Sequence, residues 1–128
     1  MQLDSTNYAI AKIKSSKEDL DTDLHRHPFY ELFFFYGGSG KHTIDFEQFD
    51  LSNNCLQIVR PYQLHQVLQS EDSKGFVIKI SPLLIQSNPL VFRFFNWINY
   101  NKKIKAGVIV QTEEALMLTK ACQYLAQQ

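Results

Sequence analysis

Five consecutive large apolar residues, Leu32-Phe33-Phe34-Phe35-Tyr36, stand immediately before Gly37-Gly38-Ser39-Gly40. Successive side chains of a strand point to opposite faces, so such a strand is apolar on both sides. It needs cover on each face, one from the interior of a barrel and one from something outside it. The glycines tolerate positive φ, as a tight hairpin requires. Lys41 to Phe46 is expected to return as the second strand, with Ile44 and Phe46 on one face. Phe49 and Leu51 break that phase and predict a turn or bulge near Gln48.

Tyr8 to Ile13 reads as an earlier strand, and the polar stretch Ser15 to Asp23 as a solvated loop. Asn53-Asn54 signals a turn. Cys55 to Val59, Gln66 to Leu68 and Gly75 to Ile80 supply further strands, and Phe76-Val77-Ile78 is again apolar on both sides. Short strands separated by turn residues indicate a sandwich or barrel. The composition changes after Ile80. Ser81-Pro82 and Asn88-Pro89 each join a favoured N-cap residue to proline at the first helical position. Val91, Phe94, Phe95 and Ile98 then recur at helical spacing in a stretch that includes Trp97. Asn99 to Lys105 reads as a polar loop and Gly107 to Val110 as a last strand. Thr112 caps a further helix with Glu113 and Glu114 in its first turn, where the helix dipole favours them. Leu118, Ala121, Cys122 and Leu125 form its apolar stripe. No stop signal follows before Gln128, so the chain reads as one that ends within a helix. The expected organisation is a barrel with peripheral helices over residues 1–110 and the start of a helical segment over residues 111–128.

At 128 residues the chain suits one domain with its own core. Thirteen basic and thirteen acidic residues balance, which gives no electrostatic reason to grip a phosphate backbone. No run is apolar and long enough to span a bilayer, and the polar first residues do not resemble a secretion signal. Cys55 and Cys122 fit no CxxC spacing and read as two thiols of a cytoplasmic protein. No Ser-His-Asp or Cys-His spacing stands out, and no glycine-rich phosphate loop is present, so an enzyme is not expected.

The polar residues that do stand out are His25, His27 and Glu31, with a distant counterpart in Pro61-Tyr62-Gln63-Leu64-His65. His25 and His27 share a strand face, and Glu31 joins them if the strand resumes in phase after Pro28. The pattern His25-x-His27-x3-Glu31-x6-Gly38 resembles the first motif of the cupins, which are small β-barrels. The second cupin motif, Pro-x-Gly-x-x-His, is matched only in part: Pro61 to His65 lacks the glycine and brings the histidine one position early. Together with His25-Arg26-His27-Pro28-Phe29-Tyr30-Glu31 and Gly40-Lys41-His42-Thr43-Ile44-Asp45, this form is similar to the sensory domain of AraC-type transcription regulators.

The resemblance covers roughly His25 to Ser81 and implies a mainly β fold, a cupin-like double-stranded β-helix barrel with C-terminal helices. It also implies a small-molecule effector, a homodimer formed through the helices, and DNA contact only through a C-terminal domain absent from these residues. The ligand-binding candidates are His25, His27, Glu31, His65 and Arg60. Arg60 is expected at the barrel rim, gripping an anionic group of an effector or pairing with a nearby acid. Three readings of the cluster stand side by side. It contacts a ligand, it forms a polar network pinning strands together, or His25, His27, Glu31 and His65 hold a metal ion and make a cupin enzyme. No cofactor is expected, because AraC-type barrels generally keep these residues without an ion. Register also argues against metal, since an early His65 points out of the barrel unless a bulge restores it. A stand-alone binding module is the remaining alternative. His42 reads as surface or strand packing, and Tyr36, Tyr62 and Trp97 as core aromatics that can also line a sugar-like ligand.

Overall fold

The computed structural model describes residues 8–13, 23–51, 55–100 and 107–109. Along them run β1 (Tyr8–Ile13), β2 (Tyr30–Gly37), β3 (Gly40–Ile44), β4 (Glu47–Asp50), β5 (Cys55–Val59), β6 (His65–Gln69) and β7 (Lys74–Ile80). Two helices, α1 (Pro82–Ser87) and α2 (Pro89–Tyr100), and a short strand β8 (Gly107–Ile109) follow. The strands form two antiparallel sheets, one ordered β1-β7-β2-β5-β8 and the other β4-β3-β6.

The doubly apolar run explains the place of β2 at the centre of the larger sheet. Its odd residues Phe33 and Phe35 face the smaller sheet and pack with Ile13, Ile44, Leu51, Val59, Val67 and Val77. Its even residue Leu32 faces outward and packs with Ile58, Ile80, Ile85 and Phe95, so α1 and α2 supply the cover on that side. Phe34, also outward, is buried with Phe76 against Tyr36, Leu56 and Ile78. Tyr36 therefore belongs to the outer packing and does not line the interior.

The glycine run differs from expectation. The strands on either side of it do not pair: β2 bonds to β5 and β7, whereas β3 bonds to β4 and β6. Gly38 and Ser39 carry the chain from one sheet to the other. Gly38 has φ 92° and Gly40 φ 145°, conformations that L side chains rarely adopt. A Cβ on Gly40 would lie 2.1 Å from the Leu68 carbonyl oxygen, so a close approach to β6 is what requires glycine there. The hairpin lies further on. Ile44 pairs with Glu47 across the two-residue loop Asp45-Phe46, both with positive φ. The turn therefore precedes Gln48, and Phe46 projects into solvent at 85% exposure instead of sharing a face with Ile44.

Both helix starts follow their capping signals. Ser81 Oγ accepts from the Leu83 N–H at 3.1 Å, and Asn88 Oδ1 accepts from the Val91 N–H at 3.2 Å. Strand β8 adds to the sheet edge beside β5. Among the described residues no helix is long and apolar enough to cross a membrane. The expected loop from Ser15 through Thr22, the Asn53-Asn54 turn, the side chain of Trp97 and everything expected from Val110 onward, including the helix from Thr112 and the 111–128 segment, lie outside the described residues.

Candidate functional site

The crossings at Ser39 and Ser70, joined by the Ser70 N–H donating to the Ser39 carbonyl and the Ser39 N–H donating to Ser70 Oγ, lie at one end of the sheets. The histidines gather at the other. His25 and His65 exchange both backbone hydrogen bonds, 3.0 and 2.8 Å, in an isolated antiparallel bridge that adds the His25 segment to the edge of β6. The Tyr62 N–H donates to the His27 carbonyl at 2.8 Å, tying the following loop to the same segment. Glu31 comes from the second position of β2, on the same inward phase as Phe33.

His65 is fully buried at 0% exposure and points inward, which removes the register objection. The reason lies in the turn before it. Tyr62 takes a left-handed conformation with φ 66° in place of the missing glycine, and His65 then pairs with Ile44 in phase with buried Val67. The four side chains His25, His27, Glu31 and His65 each offer one donor atom, and these atoms lie within 4.8 Å of one another. His65 Nε2 is 3.0 Å from His25 Nε2 and 3.2 Å from Glu31 Oε1. His27 Nε2 bonds the same carboxylate oxygen. Lys79, opposite Glu31 in the pairing of β2 with β7, reaches to 3.9 Å from Oε2.

Burial alone raises the Glu31 carboxyl. The hydrogen bond from His27, with the charges of His27, Lys79 and His65, outweighs it and holds Glu31 below its ordinary value. Burial acts the other way on His65, whose pKa falls to about 3. Outward of the centre, His25 Nδ1 bonds the Asp23 carbonyl at 2.7 Å and His27 Nδ1 bonds the Phe29 carbonyl at 3.1 Å. Both carbonyls accept, so each Nδ1 donates and each ring is held with Nε2 toward the cluster.

These residues fit a divalent metal ion. Bonds of about 2.1 Å at right angles separate neighbouring donors by about 3 Å, the spacing found at His25, His65 and Glu31. The carbonyls behind His25 and His27 are the kind of outer partners that orient ligating imidazoles. The same four groups also satisfy one another directly, with His27 and Glu31 forming an ion pair.

Arg60 lies in the turn after β5, where its N–H donates to Gln63 Oε1 at 2.8 Å and its carbonyl accepts from the Gln63 N–H. Tyr62 is 66% exposed at this end and is not a core aromatic. Sequence reasoning missed three polar residues on the inward phase. His42, expected on the surface or in strand packing, is fully buried in β3 against Phe33, and its Nδ1 also stands 2.6 Å from Gln57 Oε1. Gln57 donates in turn to the Asp50 carbonyl at 3.3 Å. Burial lowers the His42 pKa to about 4. The signal for all three was phase: His42 alternates with Ile44, Gln57 with Val59, and Lys79 with Val77. Cys55 is buried.

No curated protein matches the sequence. Among solved structures, a cupin protein from Bacteroides fragilis is 20% identical, with a TM-score of 0.46 over 62% of this chain and 69% of that one. Oxalate decarboxylase from Bacillus subtilis is 18% identical, with a TM-score of 0.47 over 84% of this chain and 34% of that one. ToxT from Vibrio cholerae is 12% identical, with a TM-score of 0.52 over 96% of this chain, and the chain spans 52% of ToxT. At such identity the likeness to ToxT is one of fold. The family described as the AraC-like ligand binding domain matches residues 7–93, which takes in β1 through most of the helical region and all four clustered residues. On that match the chain belongs to the AraC-like ligand-binding domain family.

Proposed function

We propose that this chain is the effector-sensing domain of an AraC-type transcription regulator and that it acts by binding, without catalysis. The observation that carries the reading is the convergence of His25, His27, Glu31 and His65 at one end of a barrel whose family binds ligands. A structure of ToxT with (E)-4-(8-methylnaphthalen-1-yl)but-3-enoic acid bound lends support, because a chain of this fold there accommodates a small organic molecule. An effector that binds one arrangement of barrel and helices more tightly shifts the population toward it. In the whole regulator that shift would reposition DNA-binding domains.

Screening of small polar compounds by thermal denaturation tests the reading. A true effector raises the midpoint, and His27→Ala lowers its affinity. A chain that no small molecule stabilises would end the proposal. Dimerisation through Leu118, Ala121, Cys122 and Leu125 is part of the same proposal. Sedimentation should show self-association that weakens on Leu118→Asp, and a strict monomer at high concentration would count against it.

A second reading is favoured by the donor spacing alone: a divalent metal held by His25, His27, Glu31 and His65, as in a metal-dependent cupin enzyme. The ion would supply Lewis-acid chemistry at the barrel mouth. Metal analysis of protein purified without added ions separates the two. Stoichiometric metal that is lost on His27→Ala favours the enzyme, and metal-free protein that still binds small molecules favours the sensor.

A further inference from the structure

The two carboxylate oxygens of Glu31 keep different company. Oε1 meets His27 Nε2 and, at 3.2 Å, His65 Nε2. Oε2 is the oxygen that Lys79 Nζ approaches, at 3.9 Å. Lys79 stands opposite Glu31 in the pairing of β7 with β2, on an inward position that it shares with buried Val77. A lysine on such a phase is out of keeping with its apolar neighbours, because burying an ammonium needs a partner. Two partners hold it. Besides Glu31, the ammonium stands over the Phe29 ring, 5.5 Å from the centroid, and its side chain is only 29% exposed. Phe29 in turn stacks on His27, ring on ring at 4.0 Å. Carboxylate and ring thus fix a positive charge beside the four clustered donors.

A divalent ion on those donors would lie about 2 Å from the carboxylate, and so on the order of 6 Å from the Lys79 ammonium. Even at the dielectric constant of water, a dication facing a monocation at that separation loses about a factor of ten in affinity, and more in a partly buried site. Lys79 also claims Oε2, which an ion gripping the carboxylate through both oxygens would need. It already supplies buried Glu31 with the opposite charge that an ion would otherwise bring. We propose that Lys79 is the specificity-determining residue of this cluster, a built-in counter-cation for Glu31 that holds down the affinity of His25, His27, Glu31 and His65 for divalent ions. The donor spacing favours such an ion, and the fixed charge opposes it. This rests on the reading of the chain as a sensor that acts without catalysis, and it adds the residue that keeps the same donors from serving as a metal centre.

The test uses the full chain, stripped of metal with a chelator and titrated with zinc by calorimetry. Lys79→Met keeps the apolar stem and removes the charge, and it should bind zinc about tenfold or more tightly than the unsubstituted chain. Lys79→Arg keeps a charge and should leave the affinity where it was. Adding His27→Ala to Lys79→Met should abolish the gain, which puts the ion at the cluster. Lys79→Gln repeats the comparison if the methionine variant does not fold. Equal zinc affinity in Lys79→Met and the unsubstituted chain, whether both are tight or both weak, overturns the assignment. An equal gain in Lys79→Arg overturns it too, because charge is then not the cause. So does a gain that survives His27→Ala, because that ion sits elsewhere. The sensor reading is decided separately, by whether small molecules stabilise the unsubstituted chain. It can fail while Lys79 still sets the zinc affinity, and it can stand while Lys79→Met changes nothing.

Discussion

Burial keeps the His42 ring neutral, with its pKa lowered from 6.5 to about 4. In the unfolded chain the ring takes a proton below its ordinary value, whereas the native ring does so only near the lowered one. Between the two, the unfolded state binds more protons, so stability falls as pH drops through that window. Each pH unit removes about 1.4 kcal/mol, so His42 alone accounts for a loss of about 3 kcal/mol across it. His65 acts in the same direction. Urea denaturation from about pH 7 to about pH 5 should show this slope, and His42→Phe should flatten it. A variant whose slope matches the wild type would refute the assignment. His42 was legible as an inward residue from its alternation with Ile44, but its partner was not. Gln57 lies fifteen residues away on the other sheet, and nothing local announces that pairing.

For the elements, local signals served where the structure is local. Ser81 and Asn88 start helices because a side-chain oxygen and a following proline satisfy the first turn without help from elsewhere. Ser81→Ala should cost about 1 kcal/mol in denaturant midpoint measurements. The run in β2 was equally readable, because five apolar residues leave neither face polar. Phe33→Ala and Phe34→Ala, on opposite faces, should each cost about 3–5 kcal/mol, and a cost below about 1 kcal/mol at either would mean that face is solvated. The glycine run was misread for a physical reason. Positive φ serves a hairpin and a sheet crossing alike, and the choice depends on whether Leu68 and Ser73 come close, which the run itself does not encode.

At the scale of the whole molecule, the clustered residues were legible as types and spacing, whereas their convergence depended on two long-range facts. The His25 segment joins the edge of β6, and Tyr62 absorbs the missing glycine by going left-handed. Arg60 illustrates the limit, since its backbone bonds to Gln63 belong to a turn that no periodicity describes. An effector present at about a hundred times its Kd should stabilise the native state by about 2.7 kcal/mol, read as a rise in the denaturation midpoint. A compound that binds the cluster without raising the midpoint would bind the unfolded chain as well. In β2, Glu31 looks into the cluster while its neighbours Tyr30 and Leu32 rest on the opposite side, Tyr30 with its ring 4.8 Å from that of Phe95 in α2. Cluster and helix are thus one backbone's thickness apart, and any twist of the peptide planes that relieves crowding at residue 31 must swing residues 30 and 32 across the surface of α2.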